Sequence, residues 1–262
     1  MRKRTGSRKP KLANPSSSKH MAKRIIKDKS PKVPQKDKID FDLKIRERTD
    51  LTEKQKLILD TSIDKGTKCV FIDGIYGSTK TWCCVLTALK LLNSKKCDRL
   101  LYLRNPVESS TTGKIGFLKG EAAEKMSPYE QPLLQKLDEF LSEGEIKRLR
   151  DDGRFECMPI GFVRGHSWNC KCVIVDEAAS LTKDDIILLM SRVGEFTKIF
   201  FIGDSRNQND IGSKSGFRHM FDLFNDEESK QNGVFCFEMK DAADILRSAF
   251  VRFVMTKIMN IS

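Results

Sequence analysis

The fold class is most evident in the stretch Lys68-Cys69-Val70-Phe71-Ile72-Asp73. It is followed at once by Gly74-Ile75-Tyr76-Gly77-Ser78-Thr79-Lys80-Thr81. Residues 68–73 form a short apolar run, which is typical of a strand buried on both faces. A glycine-containing loop comes next. Residues 80–92 then carry apolar side chains at helical spacing, namely Trp82, Val85, Leu86, Leu89 and Leu92. A strand, a glycine-rich loop and a helix in this order predict an α/β fold.

The same alternation continues along the chain. Apolar runs predict further strands at residues 99–103, 155–160, 172–176, 198–203 and 234–238. Helical periods predict helices at residues 133–150, 183–193, 215–224 and 243–258. Strands that alternate with helices indicate a mainly parallel sheet between two layers of helices. The long segment 104–132 is expected to be a functional loop.

The loop after the first strand fits the phosphate-binding pattern G-x-x-x-x-G-K-[ST], except that Thr79 stands where the pattern has glycine. In such a loop, backbone N–H groups and the helix N-terminus surround the phosphates. Lys80 would reach the β- and γ-phosphates and Thr81 would ligate Mg²⁺. A glycine-rich turn without a ligand is the alternative, and Thr79 is expected to crowd the loop and slow turnover. The predicted phosphate-binding residues are Gly74, Ile75, Tyr76, Gly77, Ser78, Thr79, Lys80 and Thr81.

Two acidic residues, Asp176 and Glu177, end the apolar strand at 172–176. We expect Asp176 to hold Mg²⁺ through water and Glu177 to orient or deprotonate the attacking water. The alternative is a solvated strand end. The next strand is followed by a polar run in which Gln208 or Asn207 is expected to sense the γ-phosphate. An ordinary Asn/Asp/Ser turn would have the same composition.

Charge is concentrated at one end of the chain. The 262 residues contain 48 Lys and Arg against 36 Asp and Glu, a net charge of +12. Residues 1–40 hold 14 of these bases and three Asp, so residues 41–262 have a net charge of only +1. We predict a disordered basic tail at 1–40 and one domain at 41–262. The tail would either add salt-dependent contact to nucleic acid or only improve solubility.

No run of 18 apolar residues occurs, so we predict no membrane-spanning helix. The N-terminus lacks the apolar centre of a secretory signal. The eight cysteines are scattered without a CxxC pair, which favours structural thiols over a zinc site. These features together predict a cytoplasmic protein.

The chain carries GFLKG at 116–120, followed by Glu124-Lys125 and Pro128-Tyr129. This segment and several short motifs between about Leu51 and Ile258 resemble the PhoH-like ATPases, a family related to superfamily 1 helicases. The GFLKG segment is the most specific part of the likeness. Thr79, Ala179 in place of glutamine, a displaced proline at 106 and one extra residue before Gln208 depart from the family pattern. Further matches are LTEKQ at 51–55, RNPVE at 104–108, RG at 164–165, DEA at 176–178, GD at 203–204 with Asp210, SG at 215–216, and DILRS at 244–248 with Val251-Arg252.

The resemblance implies a RecA-like P-loop ATPase core that uses ATP and Mg²⁺ and has a function linked to RNA. It also implies that Gln55 recognises the adenine. Arg247 or Arg252 would stabilise charge on the γ-phosphate, within the chain or across a subunit interface.

Three functional hypotheses follow. The first is a helicase-like ATPase that acts on or with RNA or single-stranded DNA, with Lys80, Glu177, Gln208 and Arg247 as catalytic residues. A single core of this kind suggests a ring homo-oligomer. The second is an ATP-switched nucleic-acid-binding module with negligible hydrolysis. The third, a small-molecule phosphotransferase, lacks an evident acceptor pocket signature.

Overall fold

In a computed structural model of the chain, the described residues are 38–104, 122–163, 167–207 and 211–259, with 122–128 described by their backbone alone. All of them belong to the unit Val33–Ser262. The predicted basic tail lies almost wholly outside these ranges, so the tail and the domain boundary at residue 41 stay predictions.

Six strands and eight α-helices make up the described part of the chain. The strands are β1 (Cys69–Gly74), β2 (Arg99–Arg104), β3 (Phe155–Pro159), β4 (Lys171–Asp176), β5 (Lys198–Gly203) and β6 (Val234–Met239). The helices are α1 (Glu53–Ile63), α2 (Lys80–Asn93), α3 (Ala122–Phe140), α4 (Glu143–Asp151), α5 (Lys183–Met190), α6 (Phe217–Leu223), α7 (Glu227–Gln231) and α8 (Ala249–Met259).

All six strands form one parallel sheet in the order β3-β2-β4-β5-β1-β6. The predicted α/β class with a RecA-like P-loop core is therefore confirmed. Strands β4, β5 and β1 are neighbours, and in the register between β1 and β5 Asp73 lies opposite Gly203. Because the strands are parallel, the residues that follow these three strands meet at one edge, where open α/β sheets bind ligands.

The central strands are buried on both faces because helices cover each side. On one face, Val70 and Ile72 of β1 pack in a core that includes the buried residues of α2, where Trp82 lies with its ring centroid 5.0 Å from that of Phe140. On the other face, Phe71 stacks on Phe201 of β5 at 4.9 Å. None of the helices in the described ranges is long and apolar enough to cross a lipid bilayer.

The prediction of one helix at 133–150 is wrong, because two helices occupy this region. Ser142 has an extended backbone and caps the second helix, α4, through a reciprocal capping box with Glu145. The first helix, α3, begins at Ala122, eleven residues before the predicted start at residue 133.

The closing helix also differs from the prediction of 243–258. Residues Ala242–Asp244 form a single 3₁₀ turn, Ile245 is extended, and α8 begins only at Ala249. The amide of Leu246 donates to the carbonyl of Gly77, 3.3 Å away, so this segment is held against the phosphate loop and does not continue as a helix. The helices α1 and α7 were not predicted, since most apolar residues of α1 stand in one run at 57–59 without helical spacing, and α7 spans only five residues.

Loss of the Phe140 ring should be costly. Phe140 is 0% exposed and packs on Trp82, so Phe140→Ala should lower the free energy of unfolding by about 3–5 kcal/mol. Phe162 is 75% exposed, and Phe162→Ala should change it by less than about 0.5 kcal/mol. Urea unfolding of both variants checks this, and equal losses would contradict the described packing.

A candidate phosphate-binding site at the carboxyl ends of three strands

The loop between β1 and α2 folds around the ammonium group of Lys80. Lys80 Nζ donates to the carbonyl oxygens of Gly74, at 2.6 Å, and Ile75, at 3.0 Å. The Ser78 hydroxyl donates to the same Ile75 carbonyl at 2.7 Å. The amide of Ile75 donates to Met239 of the neighbouring strand β6 at 3.0 Å. These bonds tie the loop to the sheet and give it a defined shape.

Both glycines of the loop are required by its geometry. A Cβ atom on Gly74 would lie 2.8 Å from Met239 Cβ and from its carbonyl oxygen, which is closer than side chains approach. Gly77 has a φ of +82°, which glycine adopts without steric cost. Of the other loop residues, Ile75 is buried and Tyr76 is exposed.

The N-terminus of α2 differs from those of several other helices. Thr52, Ser142, Thr182 and Asp226 each accept a backbone N–H of the helix that follows through a side-chain oxygen. Thr79 precedes α2 and makes no such capping bond. The first-turn amides of a helix have no partner inside it, so this end presents donors and a positive dipole to an anion. Phosphate groups fit this environment.

The charges of three carboxylates act on the Lys80 ammonium. Burial lowers the pKa of Lys80, whereas the charges of Asp204, Asp176 and Asp73 act in the opposite direction and favour the ammonium form. Asp73, Asp176 and Asp204 come from the ends of β1, β4 and β5, the three neighbouring strands. The site therefore combines a cation for phosphate with acidic strand ends, of which Asp176, together with the Thr81 hydroxyl, could hold Mg²⁺. Among the described residues, these carboxylates do not form a metal-binding cluster of three.

Two residues from β2 position the predicted acidic pair. The Tyr102 hydroxyl donates to the Asp176 carboxylate, and the Arg104 guanidinium pairs with Glu177. Burial would lower the pKa of Arg104, but the charges of Glu177 and Asp176 and the hydrogen bond to Glu177 together raise that pKa. Glu177 itself has a φ of +56°, so its backbone is in the left-handed region. These contacts are not evident from the sequence motifs, although the spacing of 102 and 104 places both residues on one face of β2.

Asp73 joins the phosphate loop to the segment after β5. It is fully buried, accepts hydrogen bonds from the amide and hydroxyl of Ser205 at 2.9 and 2.7 Å, and pairs with Arg218 and Lys240 at 3.1 and 3.2 Å. Burial would raise the pKa of the Asp73 carboxyl, but the Ser205 hydrogen bonds and the Lys240 charge hold it below the usual value. Sequence reasoning missed Asp73; its signal is an acid at the end of an otherwise apolar strand.

The predicted sensor residues lie partly outside the described ranges. Asn207 Nδ2 donates to the Asp204 carboxylate at 2.8 Å, and the amides of Arg206 and Asn207 donate to the other Asp204 oxygen at 3.1 Å. Gln208 is outside the described residues, so its role stays a prediction. The motif residues at 105–121 and 164–166 are outside them as well.

Gln55 contacts the phosphate loop at Thr79. It is 0% exposed, and its amide nitrogen donates to the Thr79 hydroxyl at 2.8 Å and to the Asp244 carbonyl at 3.4 Å. Its amide oxygen accepts the N–H of Thr52 at 3.0 Å. All of these bonds are to protein groups, and contact with an adenine base stays a prediction.

Arg247 and Arg252 have different surroundings. Arg247 is exposed ahead of α8, and its Cδ would lie 3.7 Å from a Cβ atom placed on Gly77. Arg252 donates through Nε and Nη2 to the Ile245 carbonyl at 3.1 and 2.9 Å. Arg247 is therefore the arginine beside the loop, while Arg252 fixes the turn before α8.

Loss of the Asp73 charge should destabilise the protein in a pH-dependent way. The pKa of Asp73 is lower in the folded state than in the unfolded state. The carboxylate therefore stabilises the fold above about pH 4, and this stabilisation is lost as the pH falls through the pKa of the folded state. Asp73→Asn should cost about 2 kcal/mol at pH 7 and progressively less towards pH 3. Urea unfolding across this range checks it, with the exposed Asp60→Asn as control. An unchanged cost at pH 3 would contradict the assignment.

Comparisons with a family model and with curated proteins give consistent matches. A model of the PhoH family, described as PhoH-like protein, matches residues 46–259. A PhoH-like protein of Synechocystis is 31% identical over 187 residues, which cover 71% of this chain and 55% of that protein. A PhoH-like protein of Mycobacterium tuberculosis is 32% identical over 177 residues, which cover 67% of this chain and 49% of that protein. Protein PhoH2 of Thermobispora bispora is 26% identical over 188 residues, which cover 72% and 42%. The chain thus spans about half the length of the curated relatives it matches, and it belongs to the PhoH-like protein family.

Proposed function

We propose that the chain is a Mg²⁺-dependent ATPase that acts on or with RNA or single-stranded DNA. The observation that carries the ATP site is the phosphate loop itself, in which Lys80 is the first residue of α2 and Thr79, the residue before it, makes no side-chain capping bond. The nucleic-acid part is supported by the family resemblance and by the +11 charge of residues 1–40. We place this activity in the cytoplasm, where the eight free thiols would stay reduced.

The side chains have separate roles in this proposal. The amides at the start of α2 and the Lys80 ammonium bind the phosphates, which requires Lys80 to leave the carbonyls of Gly74 and Ile75. Thr81 and Asp176 would hold Mg²⁺, which would neutralise phosphate charge when bound. Glu177 accepts a proton from the attacking water.

Arg247 and Gln208 complete the proposed catalytic set. Arg247 is exposed beside Gly77 and stabilises negative charge on the terminal phosphate, in the same chain or across a ring interface. Gln208 responds to the presence of that phosphate and passes the change to the nucleic-acid contact.

ATP hydrolysis with and without single-stranded RNA tests this function. Lys80→Ala should lower the rate by about 100-fold or more, because a positioned cation for transition-state charge is lost. Lys90→Ala is the matched control on the same helix; Lys90 pairs with Glu47 at 2.8 Å and should leave the rate unchanged. Single-stranded RNA should raise the rate of the wild type.

Two results would contradict the proposal. Absence of hydrolysis under every condition, or equal rates for Lys80→Ala and wild type, would exclude the ATPase. Hydrolysis that RNA and single-stranded DNA leave unchanged would exclude the nucleic-acid part.

A second candidate function is an ATP-switched nucleic-acid-binding module with negligible hydrolysis. The ion pair between Arg104 and Glu177 favours it, because a carboxylate held by a guanidinium is a weaker base for water. Thr79 also agrees with this candidate, because threonine in place of the loop glycine is expected to slow turnover.

Glu177→Gln separates the two candidates. For an ATPase, it should lower the hydrolysis rate by about 100-fold while ATP still binds. For a switch, wild type and Glu177→Gln should show the same negligible rate, and ATP should still change the affinity for RNA. Glu195→Gln, at an exposed glutamate, is the control.

A further inference from the structure

Thr79 has an unusual backbone conformation for its residue type. Its φ of +64° and ψ of +20° lie in the left-handed region. Glycine enters this region freely, whereas a β-branched residue is a genuine outlier there, and such strain persists only where neighbouring groups enforce it. Thr79 stands at the position where the phosphate-loop pattern has glycine.

Two hydrogen bonds hold the Thr79 side chain. Its hydroxyl donates to the Ser78 carbonyl at 2.6 Å and accepts the Gln55 amide N–H at 2.8 Å. A hydroxyl has one hydrogen, and here it is directed to Ser78, so Gln55 supplies the hydrogen for the second bond.

Gln55 is itself fixed by α1 and by the turn at 242–244. Its Oε1 accepts the Thr52 amide in a capping box, and Nε2 also reaches the Asp244 carbonyl. This arrangement places the oxygen towards a donor and the nitrogen towards two acceptors, so the amide has one consistent orientation. With 0% exposure, the side chain has little room to move.

Thr79 is also the last residue before α2. Its carbonyl accepts the amide of Cys83 at 3.0 Å, and Lys80 and Thr81 are the first two residues of the helix. The backbone angles of Thr79 therefore determine the direction in which these two side chains leave the loop.

We propose that Gln55 is a positioning residue that holds Thr79 in the left-handed conformation and so orients Lys80 and Thr81 for ATP. The pair of Gln55 and Thr79 does in this chain what glycine does in the usual loop. This inference rests on the proposed ATP site and adds a role for Gln55 that requires no contact with the base.

A mutant cycle distinguishes this role from direct contact with adenine. The variants are Gln55→Ala, Thr79→Gly and the double variant, with the exposed Gln231→Ala as control. Isothermal titration with ATP and Mg²⁺ gives the dissociation constants. Gln55→Ala should weaken binding about tenfold when Thr79 is present, since one buried hydrogen bond and the loop conformation are lost.

In the Thr79→Gly background the same change should weaken binding by no more than about twofold, because glycine needs no support in this conformation. Thr79→Gly alone should bind ATP at least as tightly as the wild type. Thr79→Val, which keeps the branched shape without the hydroxyl, should bind about tenfold more weakly. An equal loss from Gln55→Ala in both backgrounds would overturn the proposal and would favour contact with the nucleotide.

Thermal unfolding without nucleotide provides a second, independent cycle. Gln55→Ala should lower the melting temperature by about 2–4 °C more in the Thr79 protein than in the Thr79→Gly protein. If the wild type binds no ATP, the proposed function has failed, and this cycle alone decides the role of Gln55. Additive changes in melting temperature would then overturn the proposed role of Gln55, and non-additive changes would support it.

Discussion

The ammonium group of Lys80 is partly buried, and a buried cation is stable only where opposite charges and hydrogen-bond acceptors surround it. Two loop carbonyls accept its hydrogens, and the carboxylates of Asp73, Asp176 and Asp204 favour its charge. These acids act on one ammonium group because they stand at the carboxyl ends of three neighbouring parallel strands. The sheet order places β1 next to β5 and β5 next to β4.

A second layer of contacts holds these groups in place. Tyr102 and Arg104 fix the acidic pair from β2, and Asp73 ties the phosphate loop to the segment after β5. Gln55 connects α1 to Thr79, and the segment before α8 closes over Gly77. Elements from both ends of the domain therefore converge on one loop.

The sequence predicted the elements whose signal is local. Residues 68–92 were read correctly as strand, loop and helix, because apolar runs, glycines and helical spacing all lie within one short stretch. The supporting contacts could not be read in this way, because they join distant positions. Arg104 and Glu177 are 73 residues apart, and Asp73 and Ser205 are 132 apart. The break at Ser142 was missed because apolar spacing continues across it, although its capping box with Glu145 is visible in the sequence.

In the proposed function, one loop, residues 74–81, binds the phosphates of ATP through Lys80 and the start of α2. A crystal structure with Mg²⁺ and a non-hydrolysable ATP analogue tests it most directly. We predict phosphate density against this loop, with Lys80 Nζ moved from the carbonyls of Gly74 and Ile75 to the phosphates and the metal beside Thr81 and Asp176. Nucleotide density elsewhere on the sheet edge, with Lys80 still bonded to both carbonyls, would contradict the account.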